Sequence, residues 1–401
     1  MKITFVLPGV FISGGVRAVL ECANGLKARG HDVNVVYPAA RLYSASRCSF
    51  HYVCYRFFLM CRELLRPAGV DWFPLKVKLV RVPALLPAVV PLFSSRIPEA
   101  DIVIATSWET AEAILRLAPS KGRKAYFVQH YEVMELWSDR DSWDAAMAVS
   151  SDMEKVFFSM SSVSPSDAAL RRYKARVDAT YSAPLAKFTT SVMLEDFLTG
   201  KFGQCCFGKV PIGNEASIFY PEGQKARSNE LLVPMRGYWK GSADILRMLD
   251  ILRGRRSDFH AVMFGPKECR SAAPAWAEFH SGVSDDELRK LYSRADVFVS
   301  PSWVEGWGSP LMEAMSCGTA CVGTTAGAAR DYAEDGKTAL LVPPRSPEAL
   351  ASAVERLFDD VALRDRLASA GREAIRAYTW ERAVDSLEII LERICSGERR
   401  G

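Results

Sequence analysis

The chain has 401 residues, of which 49% are hydrophobic and 24% charged, and its net charge is +4. This length favours two domains, and the balanced composition excludes a disordered or fibrous chain. So small a net charge gives no argument for a nucleic-acid partner, and we expect none.

The first predicted elements form a strand–helix–strand unit. Ile3 to Leu7 is a β-rich run, Val16 to Arg29 has helical spacing that Gly30 ends, and Val33 to Tyr37 reads as a second buried strand. Such a unit indicates parallel strands in a doubly wound α/β sheet. The pattern recurs with strands at 101–105 and 124–129, a helix at about 109–117 and a possible short strand at 161–164.

Residues 41–81 interrupt this pattern. They carry eight Lys or Arg residues against Glu63 and Asp71, and these are interleaved with aromatic residues that include Tyr52, Tyr55, Phe57, Phe58, Trp72 and Phe73. Two interpretations carry equal weight. The segment is either a patch that binds an acceptor or an anionic membrane surface, or a buried helix with a solvated basic face.

A second series of alternating elements starts near Glu230. It comprises strands at 231–235, 260–264, 297–300 and 319–322 and helices at 243–252, 285–293 and 310–316. The polar segment 220–229 is the predicted linker. We therefore expect domains at 1–222 and 223–376 and a closing segment at 377–401. Two nucleotide-binding folds in tandem would face a central cleft, where the carboxyl ends of both sheets bind ligands.

The apolar segments predict a location in the cytoplasm. Met1 to Pro8 lacks a small-residue cleavage site, so we interpret it as a strand rather than a secretion signal. Val82 to Phe93 contains three prolines and is too short to span a bilayer. Peripheral attachment to the inner face of the membrane stays an open alternative. The ten cysteines lack a paired spacing, so we expect reduced, buried thiols.

The most informative segment runs from Ser300 to Gly318, where a strand is followed by a glycine loop and a helix. Ser309 is the expected N-cap, and Gly318 lies where the helix should end. A helix N-terminus suits a phosphate, because it presents free amides and the positive end of the dipole. Glu305 and Glu313 can accept hydrogen bonds from sugar hydroxyls. Helix stabilisation alone would explain Glu313 but not the whole arrangement.

This segment resembles the retaining glycosyltransferases of family 4, which have the GT-B fold and carry two glutamates separated by seven residues. The resemblance implies that Glu305 holds hydroxyls of the donor sugar and that Glu313 binds the ribose. It implies further donor contacts from the residues between them, namely Gly306, Trp307 and Gly308 along the sugar and the amides of Ser309, Pro310 and Leu311 at the phosphates.

Other segments agree with this resemblance. Arg236 and Lys240 follow a strand, and the resemblance assigns both to the developing charge on a diphosphate leaving group. The spacing of Lys240 is one residue tighter than in many members. Gly265 and Val283 lie in segments that resemble the two loops around the nucleotide base. The closing segment resembles the family's last helix, which packs on the N-terminal domain.

The N-terminal half offers three further candidates. Gly14 and Gly15 resemble the family's glycine loop, and they do not form the GxGxxG pattern of hydride-transferring enzymes. His130 follows a predicted strand and therefore lies at a ligand-binding edge, where the family often has a sugar-contacting histidine. The run from Gln129 to Glu132 is similar to one in rhamnosyltransferase-like members. Residues 106–109 are a weaker candidate for acceptor contact.

These features together predict transfer of a sugar from a UDP, GDP or dTDP donor to a saccharide or lipid-linked acceptor, with retention of anomeric configuration. We expect no cofactor and no metal ion, because no DxD motif is suitably placed. Surface polysaccharide or glycolipid synthesis is the expected context. A sugar-nucleotide epimerase or phosphorylase of the same fold and a non-catalytic binding subunit at the membrane surface stay open as alternatives.

Overall fold

A computed structural model describes residues 1–41, 50–86, 96–132, 167–223, 225, 228–236, 238–303 and 305–398. The chain divides into two compact units. The first unit holds the described residues of 1–133, 156–213 and 380–401, and the second unit holds those of 214–379. Residues 214–222, which the sequence placed in the first domain, thus lie in the second unit.

The described residues form strands and helices that alternate along most of the chain. The strands are β1 (Lys2–Val6), β2 (Asp32–Arg41), β3 (Lys78–Leu86), β4 (Ile102–Ala105), β5 (Arg123–Val128), β6 (Ala186–Thr189), β7 (Cys206–Lys209), β8 (Glu230–Pro234), β9 (His260–Gly265), β10 (Glu278–Ser281), β11 (Val297–Ser300), β12 (Ala320–Thr324) and β13 (Leu340–Val342). The helices are α1 (Gly14–Ala28), α2 (Phe50–Leu64), α3 (Trp108–Leu115), α4 (Asp167–Ser182), α5 (Val192–Phe202), α6 (Ser242–Arg255), α7 (Asp285–Arg294), α8 (Ser309–Ser316), α9 (Ala329–Tyr332), α10 (Pro347–Asp359), α11 (Val361–Ile375) and α12 (Trp380–Ser396).

Each unit is built on one parallel sheet. In the described part of the first unit the strand order is β3-β2-β1-β4-β5-β6-β7, and in that of the second it is β10-β9-β8-β11-β12-β13. In both sheets the winding direction reverses, between β1 and β4 and between β8 and β11. These are the topological switch points at which doubly wound sheets bind ligands. The predicted α/β class with two Rossmann-like domains is thus confirmed.

The first unit includes the last helix of the chain. Helix α12 packs on α1 so closely that a Cβ added to Gly25 would lie 2.4 Å from Cγ2 of Val384. Arg29 also donates to Glu388 over 2.7 Å. Burial of Leu387 and Leu391 completes the same core.

Several sequence predictions differ from the structure. Helix α1 begins at Gly14, so Gly14 and Gly15 form its first turn rather than a loop before it. Strands β3, β6, β7, β10 and β13 were not predicted, because they are short or run into neighbouring apolar segments. The predicted strand at 161–164 lies outside the described residues. The thiols are not all buried, since Cys54, Cys61 and Cys205 are exposed.

The basic segment at 41–81 contributes α2 and the start of β3. Arg81 donates to the carbonyl oxygens of Arg66 and Pro67, just beyond the end of α2, over 2.9 and 3.0 Å. Its Nε donates to the Tyr37 hydroxyl over 2.7 Å. Arg81, one of the eight cations, therefore connects the end of α2 to the sheet rather than facing solvent. Among the described residues, no helix combines the length and the hydropathy that crossing a membrane requires.

Candidate active site

The loops that follow β8 and β11 are joined to each other at the switch point of the second unit. The Trp303 amide donates to the Trp239 carbonyl over 3.0 Å. Gly241 has a φ of 74°, and a Cβ there would lie 2.2 Å from the Pro301 carbonyl oxygen. Only glycine fits this position, because both the backbone conformation and the space exclude a side chain. The two loops therefore hold a fixed mutual position.

Glu305 is held by one residue from each of these loops. Lys240 Nζ donates to Oε2 over 2.8 Å, and the Ser302 hydroxyl donates to Oε1 over 2.8 Å. Both side chains of the ion pair are largely shielded, with 26% exposure for Lys240 and 15% for Glu305. The carboxylate is thus fixed in orientation and charge-compensated, while it stays within reach of solvent.

Gly327 supports Glu305 from the loop after β12. It has a φ of 61°, and a Cβ there would lie 2.5 Å from Glu305 Cβ and 2.6 Å from the Glu305 carbonyl oxygen. Sequence reasoning missed this residue. A signal did exist: Gly327 follows a strand that neighbours β11, and loops after neighbouring parallel strands meet at the same sheet edge.

Helix α8 begins one residue earlier than the sequence predicted. Gly308, with a φ of 90°, is the N-cap, and Ser309 is the first helical residue. The expectation that Ser309 caps the helix was wrong, because the left-handed conformation at Gly308 already turns the chain into the helix. Pro310 has no amide hydrogen, and the Leu311 amide donates to the Gly308 carbonyl over 3.1 Å. Of these three residues, Ser309 therefore offers the candidate amide for a phosphate.

Glu313 lies in α8 and is contacted by Tyr292, a residue that sequence reasoning did not select. The Tyr292 hydroxyl donates to Glu313 Oε2 over 3.2 Å. Tyr292 is fully buried, and burial together with the Glu313 charge raises its pKa well above the usual value, while Arg236 opposes this rise. The charges of Arg236 and Glu313 therefore both act on the Tyr292 hydroxyl.

Trp307 is buried among aromatic rings. Its side chain is 7% exposed and packs against Tyr332 and Tyr378, with ring centroids 5.4 and 5.8 Å away. The Tyr332 hydroxyl donates to the Gly308 carbonyl over 2.9 Å. These contacts fix the loop between Glu305 and α8. The expectation that Gly306, Trp307 and Gly308 lie along a sugar stays a prediction.

The other predicted residues of the second unit follow strands of the same sheet. Gly265 ends β9, and a Cβ there would lie 2.0 Å from the Met235 carbonyl oxygen, so a side chain would separate β9 from the segment after β8. Arg236 follows β8 and is exposed. Val283 lies between β10 and α7. Their assigned nucleotide contacts stay predictions.

In the first unit, the pair Gly14–Gly15 and the run from Gln129 to Glu132 lie close together at the sheet edge. A Cβ on Gly15 would lie 3.3 Å from Oε1 of Gln129, which follows β5 together with His130. The His130 carbonyl accepts a hydrogen bond from Tyr181 over 2.7 Å. A Cβ added to Gly14 would have no contact within 4 Å outside its own helix. Within the described residues, no three His, Cys, Asp or Glu side chains are grouped as metal ligands, and a metal-independent reaction stays a prediction.

The family match to known proteins lies in the second unit. Residues 231–374 match the family described as "Glycosyl transferases group 1". The chain is 29% identical over 195 residues to the MMP alpha-(1->4)-mannosyltransferase of Mycolicibacterium hassiacum, covering 46% of this chain and 47% of that protein. It is 35% identical over 109 residues to the D-inositol 3-phosphate glycosyltransferase of Paenarthrobacter aurescens, covering 27% of each. These alignments thus span less than half of each curated relative.

Solved structures match nearly the whole chain at low sequence identity. Sucrose-phosphate synthase from Thermosynechococcus elongatus has a TM-score of 0.70 at 15% identity, with 99% of this chain and 100% of that chain covered. Anabaena Alr3699/HepE in complex with UDP-glucose has a TM-score of 0.66 at 15% identity, with the same coverage. The chain therefore has the GT-B fold, and its residues 231–374 match the group 1 glycosyl transferases.

Proposed function

We propose that this protein is a glycosyltransferase that moves a sugar from a nucleotide-sugar donor to a saccharide or lipid-linked acceptor. The observation that carries this proposal is the oriented carboxylate of Glu305, held by Lys240 and Ser302 at the switch point of the second unit. This carboxylate lies within the segment that matches the glycosyl transferase family. The names of the curated relatives, which transfer mannosyl or other glycosyl groups, support the same reaction class.

The proposed donor is a UDP-sugar, since one structural neighbour, Anabaena Alr3699/HepE, was solved with UDP and with UDP-glucose. Glu313 binds the ribose, and Glu305 accepts hydrogen bonds from the sugar hydroxyls. Lys240 has three hydrogens, so it can stay on Glu305 while it also reaches the diphosphate. Arg236 and the Ser309 amide supply further positive potential. Surface polysaccharide or glycolipid synthesis is the proposed context.

The proposed reaction retains the anomeric configuration and needs no metal ion, as in family 4. The bond between the anomeric carbon and the diphosphate oxygen breaks, and the acceptor oxygen forms its bond on the same face of the sugar. The leaving diphosphate takes the acceptor proton. The protein contributes positioning and charge stabilisation of the leaving group. An inverted product, identified by NMR of its anomeric proton, would contradict this mechanism.

We predict that UDP raises the melting temperature of the protein equally with and without EDTA. A ligand that binds only the folded state must raise the melting temperature, by an amount set by the ligand concentration relative to the dissociation constant. GDP, which changes the base alone, is the matched control, and dTDP, which adds a methyl group to the base and lacks the 2′-hydroxyl, is a second comparison. Stabilisation by none of the three nucleotides would favour a non-catalytic binding subunit. Conversion of a UDP-sugar without an acceptor would favour an epimerase.

We also propose that the protein works at the inner, anionic face of a membrane and attaches there through α2. Met60 on this helix is buried, whereas Phe57 and Phe58 are 48% and 62% exposed and Leu65, just after the helix, is 89% exposed. Arg62 and Arg66 are close to these side chains in sequence, are exposed and share Glu63 as an ion-pair partner. Exposed apolar side chains beside cations suit the interface of an anionic bilayer.

Replacing Phe58 and Leu65 together by serine is expected to abolish flotation with phosphatidylglycerol vesicles. The apolar contact would be lost, while the cations alone bind weakly and are screened by salt. Ile389→Ser is the matched control, because Ile389 is 49% exposed on α12. Equal flotation of the double variant and the wild type would contradict attachment through α2.

A further inference from the structure

A buried polar cluster lies at the point where the chain leaves β5. The Tyr181 hydroxyl is 2.7 Å from the His130 carbonyl oxygen and also contacts Glu132 Oε2. On the other side of this carboxyl group, the Trp108 amide donates to Oε1 over 3.1 Å. Tyr181 is fully buried. Glu132 and Tyr181 therefore tie the His130 peptide to α4 and to the start of α3.

A count of hydrogens in this cluster determines the protonation state that satisfies every contact. The Tyr181 oxygen faces two acceptors, the His130 carbonyl oxygen and Glu132 Oε2, but carries a single hydrogen, and the Tyr126 hydroxyl donates to it over 3.3 Å. If Glu132 is ionised, Tyr181 can donate its hydrogen either to the carboxylate or to the His130 carbonyl. The acceptor that does not receive this hydrogen then faces the Tyr181 oxygen without a hydrogen between them. If Oε2 of Glu132 carries a proton, it donates to Tyr181, and Tyr181 donates to the His130 carbonyl. The unprotonated Oε1 still accepts from the Trp108 amide.

The charges around Glu132 favour the protonated state. Burial and the negative charge of Glu109, itself 3% exposed on α3, raise the pKa of Glu132. The hydrogen bond from Tyr181 and the charge of His130 act in the opposite direction but are outweighed. Two further titratable groups face Glu132. Tyr126 on β5 has a buried hydroxyl 3.5 Å from Oε1, and the hydroxyl of Tyr131, the residue before Glu132, donates to Asp178 over 2.5 Å. Burial raises the pKa of both tyrosines, and the Glu132 charge adds to this rise.

We propose that Glu132 is a positioning residue that acts in its protonated form. Its carboxyl group donates to Tyr181, Tyr181 donates to the His130 carbonyl, and this chain of hydrogen bonds fixes the backbone that presents His130. The inference rests on the proposed function, because it assigns importance to His130 in the transfer reaction. Ionisation of Glu132 would break the chain and release the His130 peptide.

The protonation state can be measured without any assay of transfer. The infrared difference spectrum of wild type minus Glu132→Gln at neutral pH should contain the carbonyl band of a protonated carboxylic acid. An acid whose pKa is raised on folding stabilises the protein at low pH and loses that contribution as the pH rises through the folded pKa. The melting temperature of Glu132→Gln, measured relative to that of the wild type, should therefore increase as the pH rises. Glu99→Gln, at an exposed carboxyl group, should show a constant difference.

The positioning role is tested by comparing three variants in the transfer reaction. Glu132→Ala and Tyr181→Phe should each lower kcat about tenfold, as expected for one lost hydrogen bond to a buried carbonyl, with stabilisation by UDP unchanged. Glu132→Gln can still donate to Tyr181 and should restore kcat. Wild-type kcat should fall at high pH as Glu132 ionises, and this fall should be smaller in Glu132→Gln.

Two results would overturn the inference. One is the absence of the carboxylic acid band at neutral pH, which would show that Glu132 is ionised. The other is an equal loss of kcat in Glu132→Gln and Glu132→Ala, which would show that the amide cannot replace the acid. A wild-type protein that transfers no sugar at all would instead contradict the proposed function. The infrared and thermal measurements would still decide the protonation of Glu132 in that case.

Discussion

Glu305→Gln is expected to lower kcat for sugar transfer by about 100- to 1,000-fold, the range found when one preorganised electrostatic contact to a transition state is removed. The substitution keeps the size of the side chain but removes the charge that pairs with Lys240 over 2.8 Å. Affinity for UDP should change little, because the variant keeps all the proposed nucleotide contacts, which are Glu313, the Ser309 amide, Arg236 and Lys240. Single-turnover product formation and calorimetry with UDP measure the two effects separately.

The matched control for this variant is Glu334→Gln. Glu334 also pairs with a lysine, Lys337, over 2.5 Å, but its side chain is 63% exposed. Exposed pairs of this kind contribute little to stability, and Glu334 is not among the proposed site residues. Its variant should keep the wild-type kcat. If Glu305→Gln transferred sugar at more than half the wild-type rate, Glu305 would have no electrostatic role in the reaction.

Gly327→Ala is expected to have the second largest effect on transfer. The new Cβ would meet Glu305 Cβ at 2.5 Å and the Glu305 carbonyl at 2.6 Å, so the loop that carries Glu305 must move. Displacement of a positioned group by about 1 Å can cost about 100-fold in rate. The left-handed φ of 61° adds backbone strain of about 1–2 kcal/mol for a residue with a Cβ. We therefore expect loss of both kcat and stability.

Gly336→Ala separates these two contributions. Gly336 has a φ of 71°, close to that of Gly327, but a Cβ there would have no atom within 4 Å. This variant should lose a similar amount of stability through backbone strain and keep its kcat. Thermal unfolding and initial rates on both variants decide the outcome. Equal rates for the two variants would show that crowding by Gly327→Ala does not disturb Glu305.

Much of the second unit could be predicted from the sequence. Strand β11 was predicted at its observed bounds, and α8 was predicted one residue short at its start. The residues of β11 and α8 follow clear patterns, because a fully buried parallel strand is a continuous apolar run and a helix buries one side at regular spacing. The two glutamates and the glycines between them could therefore be placed at a sheet edge. Strand β13, with three residues, is too short for such a pattern.

The contacts between loops could not be predicted in the same way. The pairing of Lys240 with Glu305 joins residues 65 positions apart, and the support from Gly327 comes from a third loop. Likewise Tyr181 reaches the His130 peptide from α4, 51 positions further along the chain. Local periodicity carries no information on such distant neighbours.

The sequence by itself determined the class of fold, because hydrophobic periodicity and capping preferences act over only a few neighbouring positions. It predicted the residues of the proposed chemistry through the resemblance to family 4. The tertiary structure alone decided how Glu305 is held, why Gly327 must lack a side chain and which groups surround Glu132. Each of these depends on strand order, since parallel strands distant in sequence bring the loops at their carboxyl ends together at one edge of the sheet.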